Sequence, residues 1–181
     1  MSGDAAARAA SWRALLDRLT AETELAGIVV YKYLNVHRRT RYMRAFRDGV
    51  GAVRAGVTAL STRVKASTFA AAEGGSPAAT AVLAGAATLL AGLSAELVGH
   101  ARVVTATQKG AGFANLLAVL AASLAAQVHL VLQARDCVQE ALRAAGRAPV
   151  MDAPPLRRPL ALPYVPADTT GGSDGGSGIK M

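Results

Sequence analysis

Seven apolar residues, Tyr42, Phe46, Val50, Val53, Val57, Leu60 and Val64, constrain this chain more than any other feature, because they are separated by 4, 4, 3, 4, 3 and 4 positions. At about 100° per residue they occupy roughly one quarter of a helix circumference. A strand, with its period of two, would scatter the same set over both faces. No proline occurs before Pro77, so nothing forces a break in a helix over this stretch. Upstream, Trp12, Leu15, Leu16, Leu19, Leu25, Ile28 and Val29 recur at three- and four-residue steps and predict a helix over 5–30.

The next punctuation is AAAEGGSPAA, residues 70–79, where Gly74, Gly75 and Pro77 predict a turn. Ser76 is placed to cap the following helix, with Pro77 at its first position. An Ala/Leu helix is expected over 78–106, a break at QKGAG (108–112), and a further helix over 113–145 ended by Gly146. Leu116, Leu120, Leu124, Val128, Val131, Val138 and Leu142 line one side of that last helix. The expected fold is therefore all-α, an antiparallel bundle of about four long helices over 1–146. Residues 147–181 hold six of the seven prolines and end in a Gly/Ser-rich run, which predicts a disordered or extended tail. Its first half, PPLRRPLALPYVP, has the apolar residues to lie along a partner or to serve as a plain linker.

Charge is where the sequence speaks of function. The net charge is +8, and residues 32–65 alone carry nine basic groups and one acidic group. The segment YKYLNVHRRTRYMRAFRDGV, residues 31–50, adds half of the Phe, Trp and Tyr rings to that excess. On a helix over about 31–66, Arg38, Arg41, Arg44, Arg47 and Arg54 fall opposite the apolar stripe, with His37 among them, while Arg39 points toward it. A focused positive face suits a polyanion, since each neutralised phosphate releases a counterion. A merely solvated helix face would mix both signs.

Other chemistries find little support. His37, His100 and His129 are far apart, acidic residues are scattered, and a single cysteine, Cys137, permits neither a disulfide nor a cysteine zinc site. Cys137 reads as a core or boundary residue in a reducing compartment, and His100 and His129 as hydrogen-bonded core or boundary histidines on apolar helices. No catalytic residue, metal site, cofactor or small-molecule substrate is expected, and the chain is not expected to be an enzyme by itself. A secretory signal is not visible; Arg8, Arg13 and Arg18 among alanines give the start an organellar flavour that Asp4 and Asp17 oppose. The 25 positions between Lys109 and Arg135 carry no charge, as do residues 74–95, so a two-helix membrane hairpin has to be weighed. The Ala and Gly content of both stretches, the polar Asn115, Ser123, Gln127 and His129, and the lack of interfacial aromatics argue against it.

Two stretches together carry a family resemblance. Tyr31-Lys32-Tyr33-Leu34-Asn35-Val36-His37-Arg38-Arg39 resembles the Asn-Gln-His-Arg signature and its preceding aromatic-basic run. That signature belongs to the RNase MRP-specific protein subunit and its relatives, including the nucleolus and neural progenitor protein (Nepro) family. As in that family, basic and aromatic residues follow, here Arg41, Tyr42, Arg44 and Phe46. Gly112-Phe113, followed by the Leu/Ala run from Leu116 to Val128, is similar to the family's later helix. The sequence departs at Val36, where the family tends to have Gln, and at Gln127, where it tends to have Arg. The likeness covers about residues 12–145.

The resemblance implies a non-catalytic, all-helical RNA-binding subunit of a ribonucleoprotein endonuclease that processes precursor ribosomal RNA in the nucleolus. Structured RNA and RNase P/MRP-type proteins would be its partners. The residues expected to meet RNA are Lys32, Tyr33, Asn35, His37, Arg38, Arg39, Arg41, Arg44, Arg47 and Arg54. Arginines would take phosphates through their planar forks, Asn35 and His37 a sugar or base edge, and Tyr31 or Tyr33 an unpaired base. The alternatives are a helical adaptor whose basic face meets an acidic protein, or a two-helix membrane protein with a basic cytosolic helix.

Overall fold

The computed structural model describes residues 3–36, 41–108 and 114–150, excepting the side chains of 33–36, 41–46, 105–108, 114 and 116. These residues are all-helical: α1 (Gly3–Val36), α2 (Arg41–Arg63), α3 (Ala66–Glu73), α4 (Pro77–Gln108) and α5 (Ala114–Ala144). No strand occurs among them.

Four of these helices bury residues at alternating steps of three and four. In α1 the buried series is Ala5, Ala9, Trp12, Leu16, Leu19, Thr23, Ala26, Val30, and in α5 it is Leu117, Leu120, Leu124, Gln127, Val131, Ala134, Val138, Ala141. The same rhythm runs through Val50, Val53, Val57, Leu60 and Val64, and through Leu83, Ala86, Leu90, Leu93, Leu97, His100 and Val104 of α4. This is a heptad seam, in which side chains enter holes on the facing helix. A core of Ala, Leu and Val suits it, because small and γ-branched residues let helices approach closely. Leu25 (41% exposed) and Ile28 (53%), two of the apolar residues whose spacing predicts this helix, fall off the seam.

Residue pairs fix the packing. Cys137 lies against the Arg8 carbonyl and Ser123 against Glu22, so α1 and α5 run antiparallel. Gly49 faces His100 and Gly56 faces Leu93, which sets α2 antiparallel to α4. α1 packs on α2 with Arg54 reaching Glu24, and α4 packs along α5.

Two boundaries differ from those read in the sequence. The basic stretch is not one helix over 31–66: residues 31–36 complete α1, and α2 begins only at Arg41. A short helix, α3, occupies residues expected to be the end of one helix and the start of a turn. Val64 continues the apolar spacing across the break, so periodicity conceals it. Lys65 is extended (φ −98°, ψ 163°), its ammonium donates to the Ser61 carbonyl, and Thr68 Oγ1 accepts the Lys65 N–H at 3.1 Å. These bonds satisfy groups that a helix end leaves open. α3 is held on α1 by the Trp12–Phe69 ring pair (centroids 6.0 Å apart) and by the Arg8–Glu73 ion pair.

The expected caps are in place. Ser76 Oγ accepts the Ala79 N–H, with Pro77 as the first helical residue of α4. Gly146 ends α5 at φ +69°, and the Arg147 N–H reaches back to the Leu142 carbonyl, a Schellman closure. The start of the expected tail is tied down: Gln139 donates to the Val150 carbonyl at 2.8 Å and accepts its N–H at 3.0 Å. The rest of the tail, 151–181, lies outside the described residues.

Pro77–Val104 and Leu117–Ala144 are long and apolar enough to cross a membrane, with mean hydropathy 1.8 and 1.7. In this fold the same residues also provide the α4 and α5 heptad seams, with the buried polar residues His100 and Gln127 in them and Glu96 and Ser123 beside them.

Candidate nucleic-acid interface

The antiparallel packing of α1 and α2 leaves a groove of about 570 Å³ on the protein surface. From α1 it is lined by Thr23, Glu24, Gly27, Ile28, Val30, Tyr31 and Lys32, and from α2 by Arg47, Val50, Gly51 and Arg54. Gly27 and Gly51 keep the walls low, since neither contributes a side chain. Ile28 and Tyr31 lie on the exposed side of α1, and Tyr31 is 66% exposed. Lys32, Arg47 and Arg54 are exposed around them.

A shallower strip continues along α2. It shares Gly51 and Arg54 with the groove and runs through Ala55, Thr58, Ala59 and Thr62 to Arg63. From Arg47 to Arg63 this face covers about 24 Å at 1.5 Å per residue. Its hydroxyls at Thr58 and Thr62 bond carbonyls of their own helix, at Arg54 and Thr58.

The two described arginines of the groove have carboxylate neighbours. Arg47 donates to Asp48 at 3.1 Å through Nε and Nη2, and Arg54 Nη2 stands 3.9 Å from Glu24 Oε1. Side-chain exposures of 54–67% put all four groups in water. Exposed pairs of this kind contribute at most about 1 kcal/mol, so a phosphate can displace them.

Of the residues expected from sequence to meet RNA, the fold brings Lys32, Arg47 and Arg54 to one groove. Tyr33 and Asn35 belong to the last turns of α1 rather than to the helix that carries Arg47, because α1 continues through Val36. The side chains of Tyr33, Asn35, Arg41 and Arg44 lie outside the described set, and His37, Arg38 and Arg39 lie outside the described residues altogether. Sequence reasoning missed Glu24 and Ile28 as parts of the same surface. Glu24, Ile28 and Tyr31 stand at i, i+4 and i+7, a second stripe beside the seam of α1.

The remaining candidates for chemistry, His100, His129 and Cys137, do not line this groove. His100 is 1% exposed and burial lowers its pKa to about 4, so it is neutral at pH 7. Burial, reinforced by Glu140, pushes the Cys137 thiol up to about 11. His129 is exposed, which corrects its expected core or boundary position; it sits between the seam residues Gln127 and Val131 but turns off the seam. Among the described residues no three His, Cys, Asp or Glu side chains gather as a metal site. No protein-family model, no curated protein and no solved structure matches this chain.

Proposed function

We propose that this protein is a non-catalytic RNA-binding subunit of a ribonucleoprotein endonuclease of the RNase MRP type, acting on precursor ribosomal RNA. Its four long helices form one antiparallel bundle that acts as a rigid strut. Structured RNA lies on the α1–α2 groove and the outer face of α2, and other protein subunits of the particle flank it. On this reading it works in the nucleolus. The observation that carries the proposal is the concentration of positive charge along one helix, with Arg47, Arg54 and Arg63 on its exposed face and Lys32 across the groove. The likeness of residues 31–39 to the Asn-Gln-His-Arg signature supplies the particular ribonucleoprotein.

The mechanism is electrostatic. Arginines on a preformed helix hold phosphates without having to be ordered first, which conserves affinity. Removing one phosphate-binding arginine should flatten the dependence of log K on log salt by up to about 0.9. Crosslinking and immunoprecipitation of the tagged protein, with sequencing of bound RNA, tests the proposal. Recovery of one structured RNA together with RNase P/MRP-type proteins, neither of them retained by an Arg38/Arg41/Arg44→Ala variant, is the expected result. Absence of RNA above background overturns it and returns the adaptor reading.

The membrane reading has one observation of its own, the two long apolar helices. Retention in the pellet after carbonate extraction, with release only by detergent, would establish it. The buried polar residues of α4 and α5 favour release by carbonate.

A further inference from the structure

The groove between α1 and α2 has more than phosphate-binding charge. Three of the large apolar residues most exposed on the described surface, Leu25, Ile28 and Tyr31, follow one another along the same half of α1. Ile28 and Tyr31 line the groove itself. An exposed aromatic ring and an exposed aliphatic side chain one turn apart, bordered by Lys32, Arg47 and Arg54, are not what a phosphate needs. Clustered exposed apolar surface marks a binding site, and an aromatic face within a positive groove is how single-stranded nucleic acid is held.

Resting on the RNA-binding reading above, we propose that this groove takes one unpaired nucleotide. Its base stacks on Tyr31 over Ile28, and the phosphates on either side of it meet Arg47 and Arg54. The groove's volume of about 570 Å³ falls in the range of small-molecule sites. Arg47 and Arg54 are two helical turns apart, about 10.5 Å along the axis, which fits a short extended piece of backbone. A paired stem can bring its phosphates to the arginines but cannot use the stacking surface, because its bases are stacked inside the duplex and only phosphates and sugars reach the protein. Bulges, loops and single-stranded junctions can.

Glu24 gives the site a second property. Its carboxylate stands 3.9 Å from Arg54 across the groove. A phosphate arriving at Arg54 must break that pair and then lie beside a like charge. Glu24 therefore weakens every ligand equally, and it holds Arg54 over the groove when no RNA is bound.

The test uses the full-length protein and three fluorescent RNAs: a fully paired hairpin stem, the same stem with a single-nucleotide bulge, and a short unpaired strand. The bulged and unpaired RNAs should bind about ten-fold tighter than the paired stem. Tyr31→Ala should abolish that preference while leaving affinity for the paired stem unchanged. Tyr31→Phe should keep it, since stacking needs the ring and not the hydroxyl. Glu24→Gln should tighten all three RNAs by about three- to five-fold at low salt. Equal binding of bulged and paired stems, with Tyr31→Ala silent, overturns the nucleotide pocket while RNA binding stands. Failure of all three RNAs to bind overturns the RNA-binding reading and this inference with it. Circular dichroism of each variant separates an effect on binding from unfolding; Tyr31 and Glu24 are exposed, so the fold should persist.

Discussion

Acid should destabilise this protein through one imidazole. His100 occupies a seam position of α4 and lies over Gly49 of α2 so closely that a β-carbon on that glycine would overlap the ring. The ring is 1% exposed, and burial lowers its pKa from 6.5 to about 4. The folded state thus binds the proton less well than the unfolded chain. By linkage, stability from this group is fully present above pH 6.5 and is lost as pH falls toward 4. The magnitude follows from the same two values. At pH 5.5 the loss is about 1.4 kcal/mol, at pH 4.5 about 2.6 kcal/mol, and at the acid limit about 3.4 kcal/mol, which is 2.5 pH units at 1.36 kcal/mol each.

Carboxylates also titrate at the lower end of this range, so the diagnostic quantity is a difference. Urea unfolding of the wild type and of His100→Phe, measured from pH 7.5 to 4.5, should give curves that converge or cross as pH falls. The variant starts less stable, because a larger ring overpacks against Gly49, but it lacks the histidine's share of the pH dependence. The described charged residues nearest on the sequence are the exposed Arg102, two positions on, and Glu96, one turn back, both on α4, and the exposed pair Arg47 and Asp48 beside Gly49 on α2. Parallel curves, with the gap between wild type and variant unchanged from pH 7.5 to 4.5, would refute the buried neutral imidazole.

Two further outcomes follow from the packing. Three glycine-to-alanine changes should diverge in sign. Gly49→Ala should destabilise by more than about 1 kcal/mol because the ring of His100 must move, and Gly56→Ala by less, because its new carbon would meet the branched end of Leu93 at 2.8 Å rather than a ring at 2.3 Å. Gly85→Ala, with open space around it in mid-helix, should stabilise by up to about 1 kcal/mol, all three read by denaturant midpoints. Cys137, with its thiol raised to about 11, should react with iodoacetamide at pH 8 far more slowly than the same thiol in urea-unfolded protein; equal rates would contradict its burial.

Much of this was legible in the sequence, and for identifiable reasons. The steps of three and four survive intact from Val50 through α2 to Val64 just past its end, because Val and Leu stand out against Gly, Ala and Arg. In α1 and α5 the seam passes through Thr23, Ala26, Gln127 and Ala134, and in α4 through Ala86 and His100. Polarity and small size hide those positions from a hydrophobicity count. Leu25 and Ile28 mislead in the opposite sense, being apolar and exposed. The break at Lys65 has no glycine or proline to announce it and depends on Thr68 three residues on. For the site, the excess of arginine was plain, but the groove was not. It requires knowing that α1 returns against α2 with Glu24 opposite Arg54, a pairing of positions 30 apart that no local pattern encodes.

The three consecutive residues Glu22, Thr23 and Glu24 explain how the core and the groove depend on one another. Ser123 Oγ donates to the Glu22 carbonyl or to its Oε2, both at 2.9 Å, and Gln127 Nε2 reaches the same carbonyl at 3.2 Å. Thr23 gives its hydroxyl to the Leu19 carbonyl at 2.8 Å with Gln127 Oε1 3.4 Å away, and it also forms part of the groove floor. Glu24 faces Arg54. Thus α5 pins the rotation of α1 from one side, and that rotation decides where Ile28 and Tyr31 stand on the other. A seam made only of Leu and Ala tolerates sliding; a polar residue in it specifies register at some cost in stability. Replacing the pin by Ser123→Ala with Gln127→Leu leaves no buried donor stranded, because Thr23 keeps its bond to Leu19 and Glu22 is only half-buried. The loss should be no more than about 1–2 kcal/mol in unfolding free energy. The groove should suffer more than the fold: amide exchange should quicken over residues 24–32, and a preference for bulged over paired RNA should shrink, although no groove side chain has changed. Unaltered exchange over 24–32 would mean that the heptad seam alone sets the rotation of α1 and that the polar knot is incidental to it.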